Sequence, residues 1–138
     1  MDGFININKP KDFTSHDVLN VLKRSFRSTK IGHGGTLDPN ATGVLVVCLG
    51  KATKLQDYIM GNTKTYVAEI TFGWDSPTLD TDSDVQKVDP DFALDAAKLN
   101  TVLKDFVGPI QQVPPMVSAI KNNGVPLYKL AKKGISLE

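Results

Sequence analysis

The stretch KIGHGGTLDPNATG, residues 30–43, places the tightest local constraint on how this chain can fold. Four glycines and a proline surround one carboxylate, Asp38. Neither a helix nor a strand runs through such a composition, so the chain must turn here. Gly34 and Gly35 allow a positive φ or a close approach of backbone to a ligand. Pro39 removes a donor and holds Asp38 in extended conformations. A carboxylate held rigidly can act as a nucleophile or a base. It can equally be an Asp-Pro turn whose side chain bonds its own backbone.

The flanks of the loop are ordered elements. FININ alternates Ile5 and Ile7 with Asn6 and Asn8, which predicts a short strand with one apolar face. Thr14 or Ser15 can cap a helix over HDVLNVLKRSF, where Val18, Leu19, Leu22 and Phe26 form one stripe. VLVVCL reads as a buried strand, and KATKLQDYIMG as a short helix stopped by Gly61. KTYVAEITFG puts Tyr66, Ala68, Ile70 and Phe72 on one face and Thr65, Val67, Glu69 and Thr71 on the other, which predicts a strand. WDSPTLDTDSD is loop by composition. LDAAKLNTVLKDFVG is helical, with Leu99, Val102, Leu103 and Phe106 on one side. PIQQVPP is an extended break and MVSAI a strand. KNNG is a turn, and PLYKLAKKG a helix with Pro126 in its first turn and Gly134 past its end. The mixture predicts one α+β domain with a mainly antiparallel sheet and flanking helices.

Composition excludes several classes. Of 138 residues, 41% are hydrophobic and 22% charged, which argues against disordered and fibrous chains. The apolar run VLVVCLG is too short to span a bilayer, and the start MDGFININKP has no signal core, so a cytoplasmic location is expected. The single Cys48, inside that run, predicts a buried and inert thiol. Residues 1–66 carry nine Lys or Arg and five Asp or Glu, residues 75–95 seven Asp against Lys87, and residues 121–133 four Lys. A solvated mixed surface or a basic face for a polyanion both fit this pattern.

Three apparent motifs fail on their chemistry. GKAT lacks the P-loop spacing, and Ala52 stands where a magnesium-binding hydroxyl belongs. Asp80, Asp82 and Asp84 have calcium-loop spacing, but Val85 replaces the required glycine and Asp91 the bidentate glutamate. His16 and His33 with one cysteine give no zinc pattern, so no metal is expected.

The segment KIGHGGTLDPNATGVLVVCLGKATKL resembles the catalytic loop of the TruB family of tRNA pseudouridine synthases. Three more segments resemble that family in the same order: NKPKDFTS, KTYVAEITFGWDSPTLDTDS and QQVPPMVSAIKNNGVPLYKLAKKG. The resemblance implies isomerisation of the T-loop uridine at tRNA position 55 to pseudouridine, on a flipped-out base and without metal or organic cofactor. It places the catalytic aspartate at Asp38 and the base-stacking tyrosine at Tyr66. His33 matches the histidine that fills the place of the flipped base. Gly35 and Thr36 belong to the same substrate loop, and Lys9 and Pro10 to the segment that supports it. Lys121, Lys129, Lys132 and Lys133 are expected to meet RNA phosphate. The partner implied is the T-stem-loop of tRNA.

Two positions depart from the family pattern: Gly34 stands where many members have threonine, and Asp12 where glycine is usual. The resemblance also implies that residues 1–138 are the N-terminal part of the catalytic domain. Further strands, an arginine of the site and a C-terminal RNA-binding part are expected beyond Glu138. On that reading the isolated chain is expected to self-associate through an open sheet edge and to be weakly active or inactive. The rival reading is a non-catalytic tRNA-binding or tRNA-folding module.

Overall fold

The computed structural model describes residues 1–135 apart from Asp82, Pro90, Ala119 and Lys132. It divides into two compact units, Met1–Val67 and Ala68–Glu138. The first unit contains β1 (Gly3–Lys9), α1 (Ser15–Ser25), β2 (Ile31–His33) and β3 (Gly43–Leu49). A 3₁₀ turn over Gly50–Leu55 leads into α2 (Gln56–Met60).

The three strands form one antiparallel sheet with β3 in the centre, in the order β1-β3-β2. Ile5 lies opposite Val47, Ile7 opposite Leu45, and Ile31 opposite Leu49. Side chains alternate along a strand, so these six share one face. Helix α1 lays Val18 and Leu19 on that face, with Leu22 and Phe26 packed against the same cluster. Leu45, Val47 and Leu49 are almost completely removed from water. Each such side chain contributes about 1.5–3 kcal/mol by leaving water. Cys48 points away from this face and is also fully buried, which pushes its thiol up from the ordinary value.

Helix α1 starts at a reciprocal cap. The Asp17 backbone N–H donates to Thr14 Oγ1 at 3.1 Å, and the Thr14 N–H and hydroxyl both donate to Asp17 Oδ2. The predicted strand FININ, helix and buried strand VLVVCL all appear within a few residues of their expected bounds. β2 was expected as loop. It is a strand because β3 supplies a ladder for three residues that have no strand pattern of their own.

The second unit holds β4 (Trp74–Asp75) paired with β5 (Gln86–Lys87), α3 (Ala96–Lys104), β6 (Lys121–Asn122) paired with β7 (Val125–Pro126), and α4 (Leu127–Ala131). Asp95 caps α3 by accepting from the N–H groups of Ala97 and Lys98. The KNNG turn forms as expected, with Asn123 and Gly124 both at positive φ. Gly134 ends α4 at φ +72, where its N–H reaches Ala131 O and that of Ile135 reaches Leu130 O. Such a bond pair closes a helix on a left-handed glycine. Pro126 precedes α4 in β7 rather than opening the helix. Phe72 and Phe92 stack with ring centres 5.4 Å apart.

Two expected strands are absent. Residues 64–71 of KTYVAEITFG are irregular, with Val67 fully exposed and Ile70 71% exposed. Alternation supplies a face but no neighbour, and among the described residues no strand pairs with this segment. Residues 116–118 of MVSAI form a turn, with Ser118 N–H bonded to Pro115 O; Ala119 lies outside the described residues. The α3 stripe is helical from Leu99 to Leu103, Phe106 lies in the turn beyond the helix, and Val102, Leu103 and Phe106 remain exposed. Among the described residues, no helix is long and apolar enough to cross a membrane. The mixed α+β character and antiparallel pairing agree with the sequence expectation.

The cap of α1 yields a pH dependence. Bonds from Thr14 hold the Asp17 carboxyl below its ordinary value of 3.8. A depressed folded value contributes stability that is full above the unfolded value and is lost as pH falls through the folded one. Asp17→Asn is therefore expected to lower the melting temperature at neutral pH, with a difference from wild type that narrows below about pH 4. Thermal melts across that range check it; a constant difference would contradict the assignment.

Candidate active site

Strand alternation creates the first component of the site. Lys9 follows Ile5 and Ile7 at the same spacing, so β1 turns it inward, opposite Gly43. Its side chain is fully buried. A buried ammonium is tolerable only when its donors are satisfied. Lys9 Nζ donates to the carbonyls of Phe13 at 2.6 Å, Pro10 at 3.0 Å and Pro39 at 3.1 Å. Three donors meet three acceptors, one of them from the loop that carries Asp38.

Pro39 O also accepts from the backbone N–H of Asp12 at 2.9 Å. Asp12 sits at φ +66, the left-handed conformation that glycine adopts without strain. The glycine-like turn is thus present despite the aspartate, a residue type that tolerates this region better than most. On the other side of Asp38, Ser15 reaches Leu37. Its Oγ accepts from Leu37 N–H at 2.9 Å and donates to Leu37 O at 3.2 Å. Asp38 O accepts from Ala41 N–H at 3.1 Å, closing a turn. The Asp38 side chain is exposed. The loop therefore presents one carboxylate to solvent while its backbone is gripped from the inside.

The glycines serve packing. Neither Gly34 nor Gly35 has a positive φ, contrary to one expectation. Gly32 in β2 and Gly34, one residue past its end and bonded through its N–H to Val46 O, face the same way, and Gln56 and Ile59 share a face of α2. A Cβ on Gly32 would lie 2.6 Å from the Gln56 amide, and one on Gly34 2.5 Å from Ile59 Cγ2. Gln56 Nε2 also donates to His33 O at 2.7 Å. Absent side chains thus let α2 sit on β2. His33, between the two glycines, turns to the α1 face opposite Val47; it is half-buried, and its Nδ1 is buried without a partner.

A groove of about 740 Å³ runs beside the loop. Gly34–Leu37 and Asn40–Val46 form one wall, and Ile59 with Asn62–Val67 the other. Tyr66, Gly35 and Thr36 therefore border one space; Asp38 does not line it, although Leu37 and Asn40 on either side of the Asp38-Pro39 pair do. Tyr66 is 64% exposed on irregular backbone, so it is no sheet-core residue. Pro10 is exposed and contributes its carbonyl to Lys9. Lys121 and Lys129 are exposed and belong to the second unit, as does Lys133; Lys132 lies outside the described residues. Among the described residues no three His, Cys, Asp or Glu side chains gather as a metal site.

Sequence reasoning missed Ser15 as a loop partner, having offered it only as a cap. Since Thr14 caps the helix, the neighbouring hydroxyl is free for Leu37. It also missed Lys64, which borders the groove and donates to Met60 O and Asn62 O.

An exposed carboxylate on a clamped loop, beside an open groove, defines a site suited to nucleophilic or base chemistry. The TruB family pseudouridylate synthase (N terminal domain) matches residues 23–138, and the chain belongs to this family. It is 47% identical over 141 residues to the tRNA pseudouridine synthase B of Geobacillus thermodenitrificans, covering 100% of this chain and 46% of that protein. It is 45% identical over 138 residues to the protein of the same name from Caldanaerobacter subterraneus subsp. tengcongensis, covering 100% and 48%. A third, from Francisella tularensis subsp. novicida, is 45% identical over 139 residues. The chain spans about half the length of the curated relatives it matches.

Lys9→Met removes the donor and leaves three carbonyls to find other partners. A loss of about 2–4 kcal/mol is expected, with faster proteolysis between residues 34 and 42. Lys9→Arg should not restore stability, because a planar fork cannot aim at three carbonyls gathered around one nitrogen. Urea denaturation and limited proteolysis measure both effects.

Proposed function

We propose that the protein carrying this chain converts a uridine of tRNA to pseudouridine, with Asp38 as the acting carboxylate and the T-loop uridine at position 55 as the target. One observation carries the reading. The exposed Asp38 lies between two backbone clamps, in a chain 45–47% identical along its length to proteins named tRNA pseudouridine synthase B. A tRNA substrate places this activity in the cytoplasm.

The isomerisation breaks the bond from uracil N1 to ribose C1′, turns the base and joins C5 to C1′; C5 gives up its proton to solvent and N1 takes one up. A stacked base cannot turn, so the uridine must leave its stack before reaction. Asp38 has three routes open to it: addition to the ribose, addition to the base, or removal of a ribose proton. Each needs an ionised oxygen in a fixed place, which the clamped loop offers. Tyr66 borders the groove beside the loop, where its ring offers a stacking surface and its hydroxyl a proton route. Gly35 and Thr36 line the groove that the base would enter.

Filling the vacated base position would require the His33 ring to leave its seat on the α1 face. Lys9 acts here through its carbonyl bonds and does not touch RNA, since it is buried. Lys121 and Lys129 are exposed and suited to phosphate, the part of RNA that fixes register without reading sequence. Lys132 is assigned the same task by resemblance. No metal or organic cofactor enters this scheme.

Asp38→Asn keeps the size and removes the charge. Release of tritium from tRNA labelled at uridine C5 is expected to fall by far more than tenfold, with tRNA affinity little changed. Turnover within a factor of ten of wild type would refute the assignment. A non-catalytic tRNA-binding role predicts instead that wild type itself releases no tritium.

Tyr66→Phe keeps the ring and loses the hydroxyl. Single-turnover rates are expected to drop by about a hundredfold, the scale of a lost proton-transfer group, with a modest change in affinity. An unchanged rate would remove Tyr66 from the chemistry.

A further inference from the structure

We propose that Ser15 is a positioning residue for Asp38, acting through the backbone of Leu37; this rests on the reading of Asp38 given above. Ser15 is the first residue of α1 and is 3% exposed. A serine at a helix start ordinarily serves the helix, but here Thr14 performs that task with Asp17. The Ser15 hydroxyl is instead committed to a residue 22 positions away, accepting from Leu37 N–H at 2.9 Å and donating to Leu37 O at 3.2 Å. One side chain thus satisfies both backbone groups of Leu37, as a neighbouring strand would.

The consequence falls on Asp38. The carbonyl of Leu37 belongs to the peptide unit that enters Asp38, and Ser15 fixes that unit's plane. The carbonyl of Asp38 belongs to the unit that leaves it, and Ala41 N–H holds that unit at 3.1 Å. One residue further on, Pro39 O is held by Lys9 and Asp12. With both flanking planes held, the freedom left to the carboxylate is rotation of its own side chain. Leu37 adds an anchor by packing against the core cluster. Without Ser15 the entering plane can turn, and the Asp38 side chain swings about an axis the rest of the loop does not control. A misplacement on the order of 1 Å costs about a hundredfold in rate.

The test compares Ser15→Ala with Thr14→Ala in the full-length protein. Both disturb the start of α1, but only the first removes the bonds to Leu37. Tritium release over a range of tRNA concentrations up to saturation, well below each melting temperature, gives kcat and KM; amide hydrogen exchange reports Leu37. Ser15→Ala is expected to lower kcat by roughly ten- to hundredfold with KM within about twofold, and to speed exchange at Leu37. Thr14→Ala is expected to lower the melting temperature and leave kcat unchanged. Equal loss of kcat in both variants would show that Ser15 acts through helix stability and would overturn the proposal. So would an unchanged kcat in Ser15→Ala.

Ser15→Cys, nearly equal in size with weaker bonds, provides a folded intermediate if Ser15→Ala does not fold; its kcat must then fall between wild type and the Asp38→Asn background. Asp38→Asn run in parallel separates the two readings. If that variant stays active, the assignment of Asp38 fails. If it is inactive while Ser15 variants turn over normally, only the role of Ser15 fails.

Discussion

Burial of the Lys9 ammonium is the constraint on which the Asp38 loop depends. The alternation of β1 carries this cation to the inner face behind Ile5 and Ile7. Leaving it there without partners would cost several kcal/mol. The chain meets that demand by folding two turns around it, residues 10–13 and the Asp38 loop, until three carbonyls converge. A conflict between strand periodicity and solvation thereby becomes a pin. The pin fastens a loop whose composition gives it little order of its own.

The other supports follow a common plan. Polar groups that hold the loop are inside, and the group that would react is outside. Ser15, at 3% exposure, grips Leu37, while Asp12 adopts a left-handed backbone to reach Pro39. On the opposite edge of the sheet, Gly32 and Gly34 make room for Gln56 and Ile59. That contact brings α2, and after it the Tyr66 segment, to the groove beside the loop. Bonds inside are strengthened by the absence of water, whereas the exposed Asp38 stays hydrated. Within the first unit the sheet is thus less a container for the site than an anchor for its backbone.

Legibility in the sequence varied with how local the cause was. The strand FININ, the helix after it and VLVVCL carry their own periodicity, and each was readable alone. So were the turn at KNNG and the stop at Gly134, because each rests on the chemistry of a few adjacent residues, whereas the cap was legible only as Thr14 or Ser15. KTYVAEITFG misled, since its pattern states which side chains would share a face and cannot supply a hydrogen-bonded neighbour. β2 misled in the opposite direction: IGH has no strand signature and becomes one because β3 lies beside it.

Asp38 was visible as a lone carboxylate in a loop of glycines and proline, and the family resemblance singled it out. The glycines were legible as exceptional but not for the right reason, because their purpose depends on side chains 24 to 25 positions later. Ser15 was indistinguishable from a cap until the partner of Thr14 was known. The sequence by itself therefore determined β1, α1 and β3 of the first unit, the position of the loop and its reactive candidate, all products of short-range pattern. Only the tertiary structure decided that Lys9 is a buried support, that Ser15 holds Leu37 and that Tyr66 stands in the open. Those outcomes turn on burial and on hydrogen-bond partners far apart in the chain, which no local pattern encodes.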